Sequence, residues 1–509
     1  MKTRFSNWFL RYPFAACALP LGLALAARLV GISSRPIWYD EAFAVLFSEK
    51  GPAAMLAGTL SPTGLAAADI HPLGYYTMLW AWMATFGESL ASVRGFSVSA
   101  GLATVVVAYA FALQLFGQRT GVVAGTLAAL SPFQVHYGQE IRMYALLGLW
   151  MLLATYSYWR GSRYSGWPWW MAFSLFAALG QYTHNLAAFY LMPLALWPLF
   201  TRNWHVLRKV VLAGCLSIIL YVPWLIHLPA QLAKVDQAYW IDRPEPSRLL
   251  TLLLAFTTSL PLRDWELPIG LLAAVLLTSL AFIQTLRWAR HKVQHWQDPT
   301  WLCYLAFVPP LSLFLFSQWK PVYLERALLP SGVMFGIWVA CSLAHASPPR
   351  GLRFLMVVAI VTGFSIGLYE HLSYSGFPYA PYKAIAESLR SRFLEGDVVV
   401  QSSKLSLLPT IYYDRDLPQR YVADQPGSGS DTLASSTQQV LGVEASQNIQ
   451  LAVGHARRVW FIVFDESNQE FIRAGFEGHP DLTWLMQGYT LSEHHHWDTL
   501  NVYLFSLGS

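Results

Sequence analysis

Charged residues are scarce in this sequence: Asp, Glu, Lys and Arg together make up 12% of its 509 residues, whereas aliphatic, aromatic and cysteine residues make up 55%. Soluble globular domains carry about 25% charged residues, so an ordinary soluble protein is excluded. A chain this apolar places much of its surface in lipid. The composition therefore predicts an integral membrane protein that has membrane lipids as partners.

Cysteine and internal repeats are also lacking. The four cysteines are far apart and lie within apolar runs, which is typical neither of a disulfide framework nor of a zinc site. The net charge of +5 arises from basic residues spread over short loops rather than from a basic patch, so we expect no nucleic-acid partner. No pair of matching halves is found, although many transporters have one.

Apolar runs of about 20 residues, long enough to cross a bilayer, recur through the first 370 residues. We predict eleven transmembrane helices, at about 13–32, 95–116, 120–137, 143–159, 167–183, 185–200, 210–228, 267–286, 300–317, 324–345 and 352–369. Loops on one side of these spans collect basic residues, with Asp298 as their single acid, which places that side and the N-terminus inside. The carboxylates nearest the membrane then lie outside.

Two long outer loops are predicted, at about 33–94 and 229–266. The apolar stretch 71–86 in the first loop is short and rich in Trp and Tyr, so we interpret it as a juxtamembrane helix in the outer interface. Beyond residue 370, an amphipathic helix and short apolar strands predict a small α/β domain of residues 370–509, also outside. The predicted fold is thus mainly α, with a transmembrane domain of residues 1–369.

Polar residues recur at the outer ends of the predicted spans. Ionisable groups near hydrocarbon are costly unless they pair or face water, so such a collection indicates a functional site. The candidates come from the segments "WYDEAF", "ADIHPLGYY", "HYGQEIRMY", "QYTHN" and "VYLERALLP" and are Asp40, Glu41, Asp69, His71, His136, Glu140, Arg142, Tyr144, His184 and Arg326.

These residue types suit the transfer of a sugar from a polyprenyl-phosphate carrier. No pool of nucleotides is available at the outer face of the membrane that this chain spans, so the activated sugar donor must already be in that membrane. The transfer needs a carboxylate that accepts the proton of the attacking hydroxyl, and cations that hold the departing phosphate. We assign Asp40 as the general base and Glu41 as the residue that orients Asp40. Arg142, His71 and Arg326 are then phosphate ligands in a single displacement that inverts the anomeric centre.

The same segments resemble the signature segments of bacterial GT-C membrane glycosyltransferases. The resemblance is to the group of the protein O-mannosyltransferases and the lipid A aminoarabinose transferase, and it is clearest over residues 30–200. It implies that Asp40 is the catalytic aspartate with Glu41 as its partner, that His71 stands at a phosphate-binding position, and that Glu140 is a second acidic site. Phe43 stands where the aminoarabinose enzyme has an arginine.

Further assignments follow from the resemblance and the positions. Tyr144 and His184 are expected to bind substrate, and Asp69, His136 and Glu140 are candidate ligands of a divalent metal. The acceptor is open: a glycan, a lipid or a protein, through a hydroxyl or an amine. The expected location is the plasma (inner) membrane, with the site and the C-terminal domain outside the cytoplasm.

Two other functions remain open. An ion-coupled transporter or lipid flippase would use buried acids to relay ions, and it predicts charges at mid-membrane and paired broken helices. A noncatalytic assembly or receptor protein would use the outer domain for sensing. The acidic residues of this chain lie at the outer ends of the spans, which disfavours the transporter. The assembly or receptor protein gives no reason for four polar clusters to converge on one face, so the glycosyltransferase is favoured.

Overall fold

The computed structural model describes residues 13–60, 71–164, 166–231, 241–291, 296–345, 349–424 and 432–507. The chain divides into two compact units. The helical unit comprises the described parts of 1–32, 89–226 and 241–373, and the mixed unit those of 33–88, 227–240 and 374–509. Most of the predicted first outer loop therefore packs with the C-terminal residues. The domain boundary placed at residue 370 stays a prediction.

The described part of the helical unit is built from long helices. In chain order they are α1 Pro13–Leu29, α5 Leu90–Phe116, α6 Gln118–Leu130, α7 Pro132–Gln139, α8 Tyr144–Arg163, α9 Trp167–Thr183, α10 Ala188–Phe200, α11 Trp204–Leu225, α12 Ser247–Thr257, α13 Glu266–Arg290, α14 Gln297–Ser317, α15 Leu329–Ala340 and α16 Arg350–Ser373. Short 3-10 turns at Asn185–Ala187 and Glu325–Leu328 precede α10 and α15.

Six described helical segments are long and apolar enough to cross a membrane. They are Leu90–Phe116, Trp204–Leu225, Glu266–Arg290, Gln297–Ser317, Glu325–Ala344 and Arg350–Ser373. Helices also occupy the other five predicted spans, but these are shorter or more polar. The prediction of a multi-pass membrane protein is confirmed, whereas the number of eleven spans is not. The 120–137 run shows one reason: α6 ends at Leu130, and Pro132 begins a separate short helix, since proline is favoured in a first helical turn.

Arg28 ties three helices of this unit together. It is 1% exposed and donates hydrogen bonds to the carbonyl oxygens of Ala128 and Ala129 near the end of α6, at 3.2 and 2.9 Å. The amide of Gln139, at the end of α7, donates to the carbonyl oxygen of Arg28 at 2.8 Å. Because the last carbonyls of a helix have no partner within it, these bonds satisfy α6 and fix the turn that follows α7.

The mixed unit contains the α/β fold that the sequence predicted. Its described elements are α2 Tyr39–Ser48, α3 Gly51–Leu60, α4 Gly74–Phe86, α17 Tyr382–Arg392, β1 Asp397–Gln401, α18 Lys404–Tyr413, β2 Gln419–Val422, α19 Ser435–Leu441, β3 Ala445–Ser446, α20 Ile449–Val453, β4 Arg458–Phe464, α21 Asp465–Arg473, α22 Pro480–Gly488, β5 Thr490–Trp497 and β6 Leu500–Ser506.

The six strands form one sheet in the order β3-β2-β1-β4-β6-β5. The first four pair in parallel, and β6 runs antiparallel between β4 and β5. The strand β4 is almost wholly buried because both faces of the sheet are covered, which explains its unbroken apolar sequence.

The described part of the first loop is anchored to this C-terminal fold. The helix α2 packs against α18, and α3 packs against α19. The Ser436 and Thr437 hydroxyls donate to the carbonyl oxygen of Gly58 at 2.9 and 3.3 Å, and Arg415 pairs with Glu49 at 2.7 Å. These contacts hold the helix that carries Asp40 and Glu41.

Candidate functional site

Two arginines and two rings form a cluster in the helical unit, which we call the arginine cluster: Arg142, Tyr144, His184 and Arg326. The first three are buried and Arg326 is partly exposed. The first two lie in the turn after α7 and at the start of α8, and the others precede α10 and α15. The Arg326 guanidinium stands 5.3 Å from the centre of the Tyr144 ring, and the rings of Tyr144 and His184 are 5.9 Å apart. The structure thus gathers side chains from three predicted outer turns.

Histidine 184 is neutral in this cluster. Burial lowers the pKa of His184 to about 3, and the positive charges of Arg142 and Arg326 contribute to this shift. Its Nδ1 accepts a hydrogen bond from the backbone N–H of Leu186 at 3.1 Å, so the ring proton is on Nε2. The site therefore combines two guanidinium groups with a neutral imidazole, an arrangement that favours an anionic ligand.

Two further histidines lie in a second group, the histidine cluster, made by His136, Gln139, Glu140 and His371. The Nδ1 atoms of His136 and His371 are 3.1 Å apart, and His371 Nε2 lies 2.5 Å from Gln139 Oε1. His136 Nε2 is 3.3 Å from Glu140 Oε1, one helical turn along the chain. Glu140 is thus fixed by a neighbour that is itself fixed by His371.

Asp40 and Glu41 occupy the first turn of α2 in the mixed unit. A helix N-terminus carries partial positive charge, so carboxylates are stabilised there. Glu41 is 1% exposed, and the residues that follow it in α2 are buried as well. His71 lies in the same unit, in the turn before α4, and α4 packs on α2. Asp69 is outside the described residues.

The predicted substrate ligands therefore divide between the units. The helical unit brings together Arg142, Tyr144, His184 and Arg326, and it places Glu140 in the histidine cluster. The mixed unit holds Asp40, Glu41 and His71. The roles given to these residues stay predictions.

The predicted metal site is not formed by the described residues alone. No group of three His, Cys, Asp or Glu side chains among them could hold a metal ion. Both ring nitrogens of His136 are within bonding distance of protein groups. These contacts do not fit a metal ligand, and we derive no step through a metal. Because Asp69, the third predicted ligand, is outside the described residues, the predicted metal site as a whole stays a prediction.

The sequence reasoning missed His371. It is 8% exposed and sits in the last turn of α16, at the end of the last predicted span. The signal was present in the sequence, since Glu370 and His371 are adjacent ionisable residues that end an apolar run. Only the packing of α16 on α7 reveals that this histidine meets His136.

The fold is that of the GT-C membrane glycosyltransferases. The structure of ArnT, the aminoarabinose transferase, from Cupriavidus metallidurans in the apo state superposes with a TM-score of 0.64 at 13% identity, covering 96% of this chain and 97% of that one. The Archaeoglobus fulgidus oligosaccharyltransferase gives a TM-score of 0.56 at 11% identity, covering 96% and 72%. At these identities the likeness establishes the fold alone.

Sequence comparison identifies a matching protein family and a curated relative. The model of the family described as dolichyl-phosphate-mannose-protein mannosyltransferase matches residues 70–227. The chain is 27% identical over 325 residues to the undecaprenyl phosphate-alpha-4-amino-4-deoxy-L-arabinose arabinosyl transferase of Pseudomonas paraeruginosa, covering 60% of this chain and 56% of the relative. The match thus spans little more than half the length of this curated relative. The resemblance that the sequence motifs indicated is confirmed.

Proposed function

We propose that this protein is a glycosyltransferase that moves a sugar from a polyprenyl-phosphate donor to a hydroxyl or amine acceptor. The observation that carries the proposal is the arginine cluster. Arg142 and Arg326 place two guanidinium groups around the neutral His184 and Tyr144, and Arg142 and His184 are 4% and 3% exposed. Of the two, Arg142 is buried and Arg326 is partly exposed. Such a pair of guanidinium groups suits a phosphate, because each can donate two parallel hydrogen bonds to it.

The similar proteins support this choice of donor. The curated relative described above acts, by its name, with an undecaprenyl-phosphate-linked aminoarabinose. The ArnT protein of C. metallidurans has also been solved bound to undecaprenyl phosphate, with a TM-score of 0.61 to this chain. Our proposal for this chain therefore includes a lipid-linked sugar donor and an acceptor that is a glycan, a lipid or a protein.

The proposed reaction is a single displacement. Asp40 accepts the proton of the acceptor as its oxygen or nitrogen bonds to the anomeric carbon, while the bond from that carbon to the phosphate oxygen breaks. Arg142 and Arg326 hold the departing phosphate, which carries the electron pair of the broken bond. Glu41 orients Asp40. Attack opposite the leaving phosphate inverts the anomeric centre.

The proposed location is the inner membrane, with the acceptor reaction on its outer face. The support is the charge asymmetry of the sequence, since basic residues collect in the loops that would face the cytoplasm. The C-terminal α/β fold is then extracytoplasmic, on the same side as the reaction.

Asp40→Asn in the purified protein in lipid nanodiscs tests the proposal. The assay offers a panel of polyprenyl-phosphate sugars with envelope lipid and glycan acceptors, and mass spectrometry detects the product. We expect the wild type to turn over one donor and Asp40→Asn to lose about 10²-fold or more in kcat, because a general base contributes about that much. Asp40→Asn turnover equal to wild type would exclude Asp40 as the base. Lipid translocation or ion flux in the absence of sugar transfer would instead indicate a transporter.

A further inference from the structure

A lysine from the C-terminal part of the chain lies against the helix that carries the acidic pair. Lys404 is the first residue of α18, which packs along α2. Its ammonium nitrogen stands 5.1 Å from the centre of the Tyr39 ring, and Tyr39 directly precedes Asp40 in the first turn of α2. The lysine is therefore held at the end of α2 where both carboxylates lie.

The position is unfavourable for a lysine unless negative groups compensate it. Lys404 is 5% exposed, and a buried ammonium loses hydration that only an opposite charge or strong hydrogen bonds offset. It also begins its own helix, where the partial positive charge of the helix end repels a cation. We therefore expect carboxylates to compensate this lysine.

The acidic pair is the complementary group in this unit. Four described helices of the mixed unit pack on α2, namely α3, α4, α18 and α19, and Lys404 is the single charged residue in those helices. Glu49, just after α2, pairs with Arg415 at 2.7 Å and with Lys50 at 3.3 Å. A helix of ten residues is about 15 Å long, so those pairs lie far from the first turn. The opposite charges in the first turn are Asp40 and Glu41.

We propose that Lys404 is a positioning residue for the acidic pair. Its ammonium group offsets one of the two adjacent negative charges and fixes the orientation in which Asp40 meets the acceptor. The role of Asp40 in this inference rests on the proposed function. Since Lys404 belongs to the C-terminal α/β fold, this fold would then help to orient the catalytic carboxylates of the first loop.

Kinetics of Lys404→Met, with Lys404→Arg as the conservative variant, test the positioning role. We expect Lys404→Met to lower kcat about 10- to 100-fold with the donor KM within about 3-fold of wild type, because an orienting contact acts on the chemical step. Lys404→Arg keeps the charge and should retain most of the rate. Lys383→Met is the matched control, since this lysine of the same unit is 72% exposed and should give wild-type kinetics. A wild-type kcat in Lys404→Met, or a rise in KM alone, overturns the inference.

A thermal-unfolding cycle tests the pairing without using activity. The Tm is measured for Lys404→Met in the wild-type background and in the Asp40→Asn/Glu41→Gln background. We expect the substitution to lower Tm in the first background and to leave it unchanged or raised in the second, because coupled groups are not additive. Equal losses in both backgrounds overturn the pairing. If Asp40→Asn remained active, the proposed base would be wrong, and this cycle would still decide whether Lys404 pairs with the acids.

Discussion

Arg142 and Arg326 both act on His184 from segments more than 180 residues apart in sequence. Like charges that act on one side chain repel each other unless an anion or a carboxylate compensates them. Burial of His184 as a neutral ring avoids adding a third positive charge. Two arginines beside a neutral imidazole suit a ligand with more than one negative oxygen, such as the phosphate of the proposed donor.

Arg142→Ala should lower kcat/KM for the lipid-linked donor about 10²-fold or more, because it removes a buried charged donor from the leaving phosphate. Arg142→Lys keeps the charge but loses the forked geometry and should fall between Ala and wild type. Arg208→Ala, an exposed arginine of α11, serves as the control. Steady-state kinetics with purified donor measure all three. Equal kinetics for Arg142→Ala and the control would remove Arg142 from the phosphate site.

His184 gives a pH dependence of stability with a defined sign. Burial and the two arginines lower its pKa to about 3 in the folded protein, whereas an unfolded histidine has a pKa of about 6.5. Between these values the unfolded state binds a proton that the folded state does not, so this stabilisation is fully present above pH 6.5 and is lost as the pH falls towards 3.

His184→Asn should therefore flatten the fall of Tm between pH 6.5 and 4, and Asn still offers an acceptor to the Leu186 N–H. His455→Asn, at an exposed position, should leave the wild-type slope unchanged. Scanning fluorimetry in detergent at several pH values measures both. Equal slopes for His184→Asn and wild type would contradict the buried neutral ring.

The element scale shows what the sequence could and could not predict. The segments that hold Arg142, His184 and Arg326 were predicted as outer turns, because each falls between two apolar runs. The break between α6 and α7 was missed, since Ser131 and Pro132 lie within a run whose hydropathy hardly changes. The packing of α18 on α2 and of α16 on α7 was also missed. Such packing joins residues hundreds of positions apart, and side-chain periodicity carries no information on it.

Close packing of α1 on α6 depends on a glycine. A Cβ atom at Gly125 would lie 3.0 Å from the Cβ of Pro20 and 3.2 Å from that of Tyr109, whereas one at Gly22 would meet nothing within 4 Å. Small residues allow such approach between membrane helices. Gly125→Val should therefore destabilise the protein by about 1–3 kcal/mol through overpacking, and Gly22→Val is the matched control in α1. Thermal unfolding in detergent measures both, and equal Tm values would contradict tight packing at Gly125.

At the scale of the whole molecule, the two units divide the proposed chemistry. The helical unit holds the arginine cluster, and the mixed unit holds the acidic pair within a fold that includes a six-stranded sheet. Many polar residues and an α/β sheet suit water rather than lipid, so the C-terminal fold of the mixed unit belongs in an aqueous compartment. The charge asymmetry of the loops predicts which compartment that is.

Cysteine labelling tests this orientation in whole cells. With Cys215, the exposed native cysteine, replaced by Ala, Lys383→Cys reports on the mixed unit and Arg208→Cys on the first turns of α11, which are predicted to lie on the cytoplasmic side. A membrane-impermeant maleimide should label position 383 in intact spheroplasts and position 208 only after permeabilisation, because basic loops stay on the cytoplasmic side. Both positions are exposed, so access to the reagent depends on the side of the membrane. The reverse labelling pattern would place the acidic pair in the cytoplasm, where nucleotide sugars are available, and would remove the reason for a lipid-linked donor.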